Sequence, residues 1–268
     1  MFGFGKSKKK KAQQNAIIEP VQKPVEIDYT QEIIKMLNCP YELFPKGSDP
    51  QKILDAYNEA FVERETGGYT PMIIVADDNV YWLFKEYAEN AEEFKAFHDK
   101  VLASPQIDVQ KWITEQLDYW KSNEEIDWDE QVGEFECEIK YSSKGLSGFL
   151  NRHTHYTKSK ECILAKLPSK ELWEVMAWLP LGGDASPEPE TMLWITKYWC
   201  ERYSVIPAVM TYDTLEFSAS PVKDEDTAWK IAMEQFAVCI DIVDQGVGTI
   251  GRLAGGLMES MVWYFWWD

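Results

Sequence analysis

Residues 71–76 read Pro-Met-Ile-Ile-Val-Ala, an unbroken apolar run set between the pair Gly67 and Gly68 and the pair Asp77 and Asp78. A stretch this short and this continuous has no wet face, so it predicts a strand buried on both sides of a sheet. A sheet of that kind needs helices over both faces, and the flanking sequence supplies them. Ile33, Ile34 and Leu37 recur at helical spacing. Ser48 or Asp49 as N-cap and Pro50 at the first helical position open a second helix, with Ile53, Leu54, Tyr57 and Phe61 as its buried stripe and the glycine pair as its end. Phe94, Phe97 and Val101 mark a third helix, and Val109, Trp112, Ile113, Leu117 and Trp120 a fourth.

After an acidic connection at 123–130, Phe135, Cys137, Ile139 and Tyr141 alternate with Glu134, Glu136, Glu138 and Lys140, the period of a half-buried strand. Segments 162–167 and 173–179 read as its sheet partners. Ser186 and Pro187 predict the start of a helix running to about Tyr203. Strands at 205–211 and 214–219, a helix from Asp224 to about Val243, a glycine-rich helical segment and a final aromatic strand complete the pattern. The fold expected is α+β or α/β, a mixed β-sheet covered by helices. Its parts are a disordered basic tail and linker over 1–27, a helix-rich part over 28–122 with one strand, and an α/β part over 131–268; 28–268 could equally form one compact domain.

Twelve Trp among 268 residues predict a core filled by large rings. The net charge is −18, yet Lys6, Lys8, Lys9, Lys10 and Lys11 crowd the first eleven residues; taking those five positive charges away leaves −23 on the rest. A body so acidic repels phosphate backbones, so no nucleic acid is expected on it, and it attracts basic proteins. The tail is expected to give weak contact with anionic surfaces at most. No segment has the length of a transmembrane span. Five cysteines, widely spaced and without a Cys-x-x-Cys pair, suit reduced thiols in the cytoplasm.

Several residues are candidates for chemistry. On the helix from Asp224, Glu234, Asp241 and Gln245 fall within about 40° of one another at 100° per residue, opposite Trp229, Phe236, Ile240 and Val243. They read as a solvated face open to a partner, where Lys in place of Glu234 and Asp241 should leave the core intact. Asp213 and Glu216, with Asp244, form a second polar candidate, although three-residue spacing on a strand sends Asp213 and Glu216 to opposite faces. Lys144, Arg152, Lys158 and Lys160 lie in a stretch without acidic residues from 141 to 160, a candidate anion-binding loop or simply a solvated one. His153 and His155 lack a third ligand, so no metal and no cofactor are expected. Gly246, Gly248 and Gly251 spell a Gly-x-Gly-x-x-Gly pattern with only 17 residues after it, which fits close packing of a helix better than a nucleotide loop.

Four segments, WEVMAWLPLGG (173–183), PAVMTYDTLEFSASPV (207–222), EQFAVCIDIVDQG (234–246) and VWYFWWD (262–268), resemble an uncharacterised bacterial family, domain of unknown function 4253, and AYNEAFVERETGGYTPMIIVADD (56–78) is similar to it more weakly. The resemblance implies a fold but no reaction. Relatives usually carry Trp-Asn-x-Cys-Pro after the glycine pair, whereas here Asp184, Ala185, Ser186, Pro187 and Glu188 follow, and Tyr212 stands where a His is expected. Any chemistry that relatives draw from that Cys and His is closed to this chain. Two functions follow as expectations: an accessory or immunity-type module that engages a basic partner, or a metal-dependent hydrolase built on carboxylates such as Asp213, Glu216 and Asp241.

Overall fold

The computed structural model describes residues 27–154 and 157–268; the Lys-rich tail and His155 lie outside them. Helix α1 (Tyr29–Leu37) begins where the Asp28 carboxylate accepts the Gln31 N–H. Strand β1 (Tyr41–Phe44) leads to α2 (Pro50–Gly67), which starts with Asp49 capping Gln51 and Pro50 in the first turn. It stops at Gly68, whose φ of 67° is the left-handed value that glycine adopts without strain. The apolar run then forms β2 (Tyr69–Val75), with Met72, Ile73, Ile74 and Val75 fully buried.

Four helices follow: α3 (Asp78–Tyr87), α4 (Ala91–Leu102), α5 (Val109–Ser122) and the single turn α6 (Trp128–Val132). Neither β1 nor α3 was foreseen, since β1 is only four residues long and Trp82 lies exposed on α3 outside its buried stripe of Val80, Tyr81, Leu83 and Phe84. The second half supplies β3 (Cys162–Pro168), α7 (Pro189–Tyr203), β4 (Ile206–Met210), β5 (Thr214–Ser218), α8 (Glu225–Val238), α9 (Ile250–Leu257) and β6 (Val262–Trp266).

All six strands form one mixed sheet in the order β1-β3-β2-β4-β5-β6. Only β2 and β4 run parallel, pairing Ile73 with Val209 and Ile74 with Met210; every other neighbour is antiparallel. Strand β3 slots between β1 and β2, so both halves of the chain build the same sheet. One face carries the larger core, in which Trp199 of α7 meets Phe217, Trp263 and Phe265. The other packs Phe44, Ile53, Tyr57, Phe149 and Val209 beneath α2 and the loop after residue 143. The aromatic terminus is a strand as expected, with Trp263, Phe265 and Trp267 buried.

Four expectations are corrected. Residues 134–141 are no strand: Cys137 is exposed, Ile139 is 70% exposed, and 139–141 form a 3-10 turn. The segment lies across α9, where a Cβ on Gly251 would come within 2.0 Å of the Glu134 carbonyl oxygen and one on Gly255 within 2.0 Å of that of Glu136. The glycines leave this face of α9 without side chains, so the extended segment packs directly against the helix backbone. Residues 173–179 are no strand but lie largely in a 3-10 turn (Leu172–Ala177) with a Glu171–Glu174 capping box and with Val175, Met176 and Ala177 buried, because a short apolar run has no period to tell strand from turn. Helix α7 starts at Pro189, not at Pro187: the Ser186 hydroxyl turns back to the Leu181 carbonyl and Ala185 takes φ 62°. Finally, the helix from Asp224 ends at Val238; Cys239 is extended, and a π-helical turn (Ile242–Val247) follows.

Candidate functional site

Strands β2 and β4, being parallel, deliver their carboxyl ends to one side of the sheet, the position at which open α/β sheets offer a crevice. The chain leaves β2 into Asp77, whose side chain caps α3 by accepting from Val80 N–H at 3.0 Å. It leaves β4 into the Thr211-Tyr212-Asp213 turn. Asp213 is tied inward, accepting from the Thr211 hydroxyl at 2.9 Å, the Thr214 hydroxyl at 3.1 Å and the Trp266 indole at 3.3 Å. Burial raises the Asp77 pKa above the ordinary aspartate range, and nearby Asp78 and Asp213 add to it, while the cap bond to Val80 and the Lys160 charge pull the other way.

The segments that carry the family resemblance converge here. Gly182 N–H donates to the Tyr212 carbonyl at 2.7 Å, and a Cβ on Gly182 would strike the Tyr212 ring at 2.4 Å. Gly183 has φ 88° and lies against the Trp267 backbone. Asp184 N–H donates to the Asp268 carbonyl at 2.7 Å. Tyr212 and the 184–188 segment, the two departures from the family pattern, are therefore close neighbours. On the other side, Asp268 N–H donates to Asp241 at 3.1 Å, and the Gln245 amide bridges Asp241 and Asp268. The Gln131 amide of α6 reaches Asp244 at 2.8 Å.

Two bonded sets, Gln131 with Asp244 and Asp241 with Asp268 and Asp184, make up an acidic ridge. It starts at 123–138, which holds eight acidic residues and no Lys or Arg, and runs through Asp244, Asp241 and Asp268 to Asp184. Glu124, Glu125, Asp127, Asp129, Glu130, Asp184, Asp244 and Asp268 are all exposed. The exposed side chains of Tyr119 and Ile139 flank the run at 123–138.

The structure divides the sites expected from the sequence. Asp241 and Gln245 stay together on the π-turn, but Glu234 is not on their face and not in solvent. It is buried, accepting from Tyr198 at 2.9 Å, Trp199 at 3.2 Å and Tyr203 at 3.0 Å. The extension at Cys239 breaks the helical phase, and the last turn of α8 is covered on every side. Burial raises the Glu234 pKa while those three donors lower it.

The second candidate does not assemble. Glu216 is buried within β5, accepting from Ser147 N–H at 2.9 Å and from its hydroxyl at 3.1 Å. Burial pushes its pKa up against these bonds, and it acts as a tether for the loop after residue 143. Asp213 is held in the β4–β5 turn and Asp244 lies exposed beside Gln131. Nor do the loop cations converge: Lys144 pairs with Glu259 at 2.9 Å, Arg152 donates to the Tyr264 hydroxyl, Lys158 is exposed and Lys160 faces Asp77. Among the described residues no group of three His, Cys, Asp or Glu is placed to hold a metal ion. Of the glycine pattern, Gly248 caps the π-turn with φ 91° and Gly251 packs against Glu134. Asp77, Asp184, Asp268 and Gln131 were missed as site residues; the signal for Asp184 and Asp268 was their place at the ends of family-like segments.

No curated protein and no solved structure gives a match to this chain. A family model does match residues 163–268, the stretch that supplies β3 to β6 and every family-like segment meeting at this end of the sheet except β2. That stretch, less than half of the chain, is similar to the family described as Domain of unknown function (DUF4253).

Proposed function

We propose that this chain is a protein-binding module that engages a basic partner through the acidic ridge, in the manner of an accessory or immunity factor. The observation that carries the reading is the cluster of exposed carboxylates: Glu124, Glu125, Asp127, Asp129 and Glu130, tied through the Gln131 amide to Asp244, and beside Asp244 in the chain Asp241, bonded through Asp268 to Asp184. A field of one sign speeds encounter with a partner of the other, and exposed aromatic and aliphatic groups such as Tyr119 and Ile139 give such a contact its desolvated anchors. Five free thiols suit work in a reducing cytoplasm. The carboxylate hydrolase is the weaker reading, since Asp213, Glu216 and Asp241 are each bonded to different protein groups.

The test is capture of partners on the immobilised full chain, followed by titration of the purified partner against wild type and an Asp129→Lys, Glu130→Lys, Asp244→Lys variant at low and high salt. The variant keeps its fold and binds more weakly at low salt, the difference shrinking as salt screens the ridge. Equal affinity at low salt with the fold intact removes the ridge as the docking surface.

A further inference from the structure

A cavity of about 760 Å³ opens at the end of the sheet where β2 begins and β3 finishes, a volume in the range of small-molecule sites. Arg64 of α2, Tyr69 of β2, Lys95 and His98 of α4, Lys170 and Trp178 stand in its wall. One of these side chains is only half used. His98 is 6% exposed and stacks on Trp178, the ring centroids 4.0 Å apart. Its Nδ1 lies 2.9 Å from Asp99 Oδ1. Lys95 and His98 hold the Asp99 carboxyl below its ordinary pKa, so Asp99 is ionised and Nδ1 carries the proton. Burial lowers the His98 pKa against that pull and keeps the ring neutral.

A proton on Nδ1 leaves Nε2 as a bare lone pair. Among the described residues nothing donates to Nε2, yet it is not sealed. The sealed side-chain atoms without a partner are the Tyr57 and Thr196 hydroxyls, Arg64 Nε and Gln235 Nε2. Nε2 therefore opens on the cavity that His98 lines.

The charges of the wall are unevenly committed. Glu65 pairs with Arg64 at 3.3 Å, Glu171 and Glu174 share their capping box, and Glu174 also accepts from Lys170 N–H at 2.6 Å. Lys95 pairs with Asp99. The Lys170 ammonium has no carboxylate partner among the described residues, and Arg64 gives Glu65 only Nη2. Strand β2, seven residues long, separates the cavity from the Asp184 and Asp268 end of the acidic ridge by about 20 Å, more than twice the screening length in physiological salt.

We propose that this cavity binds a small organic monocarboxylate that also carries a hydroxyl: the hydroxyl donates to His98 Nε2, and the carboxylate meets Lys170 and the free end of Arg64. A lone pair that can only accept selects an O–H group over a carbonyl. The guanidinium edge and the ammonium suit a single carboxylate. A second negative charge would gain no further uncommitted cation and would face the net charge of −18. Leu102, Pro168 and Leu172, also in the wall, accept an apolar body such as a ring.

The probe is para-hydroxyphenylacetate, compared with phenylacetate, which lacks the hydroxyl, and para-cresol, which lacks the carboxylate. Each is titrated into the full chain by calorimetry while nitrogen NMR follows the His98 imidazole, one of only three in the chain. Para-hydroxyphenylacetate binds one to one, shifts the Nε2 resonance and binds about tenfold more tightly than either control, roughly the worth of one polar contact. His98→Phe keeps a ring on Trp178 without an acceptor, so it holds para-hydroxyphenylacetate no better than phenylacetate. Lys170→Ala, a change at an exposed position, brings para-hydroxyphenylacetate down towards para-cresol. A wild-type chain that binds none of the three overturns the proposal, and so does binding that leaves the Nε2 resonance unmoved. That resonance in the wild type decides the matter even if His98→Phe fails to fold.

Discussion

Glu234 illustrates how a residue's role is set by what closes over it. Periodicity placed it on a wet face, because a glutamate opposite Phe236 on a helix is ordinarily solvated. The sequence does contain the correction, in Tyr198, Trp199 and Tyr203 on α7, but no local spacing announces that three ring donors 31 to 36 residues upstream aim at one carboxylate. Replacing Glu234 by Lys is therefore not the harmless change that the periodicity suggested. Glu234→Ala strands three donors and should lower stability by about 2–4 kcal/mol in urea unfolding, the partly exposed tyrosines finding water more readily than the buried Trp199. The pH dependence has a definite sign. Burial raises the folded-state pKa of Glu234, so the folded state holds its proton to higher pH than the unfolded chain does. Its contribution is full below the ordinary glutamate value of about 4.3 and is lost as pH rises through the raised folded value. Glu234→Gln, which keeps an acceptor and cannot titrate, should flatten the stability profile across that window.

At the scale of elements, pattern reading succeeded where a segment has one kind of neighbour. The run at 71–76 lies in the middle of a sheet, Asp49, one of the two expected caps, opens α2, and a helix begins after Asp224, because these signals are local. It failed where two elements share an irregular contact. The alternation at 134–141 has a strand's period, yet its partner is the stripe of Gly251, Gly255 and Gly256 on α9. The two signals were each visible in the sequence, and only their apposition was not. Gly255→Ala tests the contact directly: its Cβ would lie 2.0 Å from a backbone oxygen, with no flexible side chain to yield. Overpacking of that kind costs about 1–3 kcal/mol, and the change should raise protease sensitivity within 134–141 before the sheet unfolds.

Across the whole molecule, the family match and the sheet do not share boundaries. Residues 163–268 supply β3, β4, β5 and β6, but β3 and β4 are not neighbours; β2, from outside the matched stretch, lies between them. A fragment of 163–268 should therefore be molten or insoluble, without the near-ultraviolet dichroism that packed tryptophans give, and cooperative unfolding of that fragment would contradict this account. The same interleaving sets a timetable for synthesis. When β2 leaves the ribosome neither of its neighbours exists, and its antiparallel partner β3 begins only at Cys162, roughly ninety residues later, or about 5–20 seconds at ordinary elongation rates. For that interval the apolar run of β2 has both edges unpaired, so the nascent chain, rather than the finished one, is the form most in need of a chaperone.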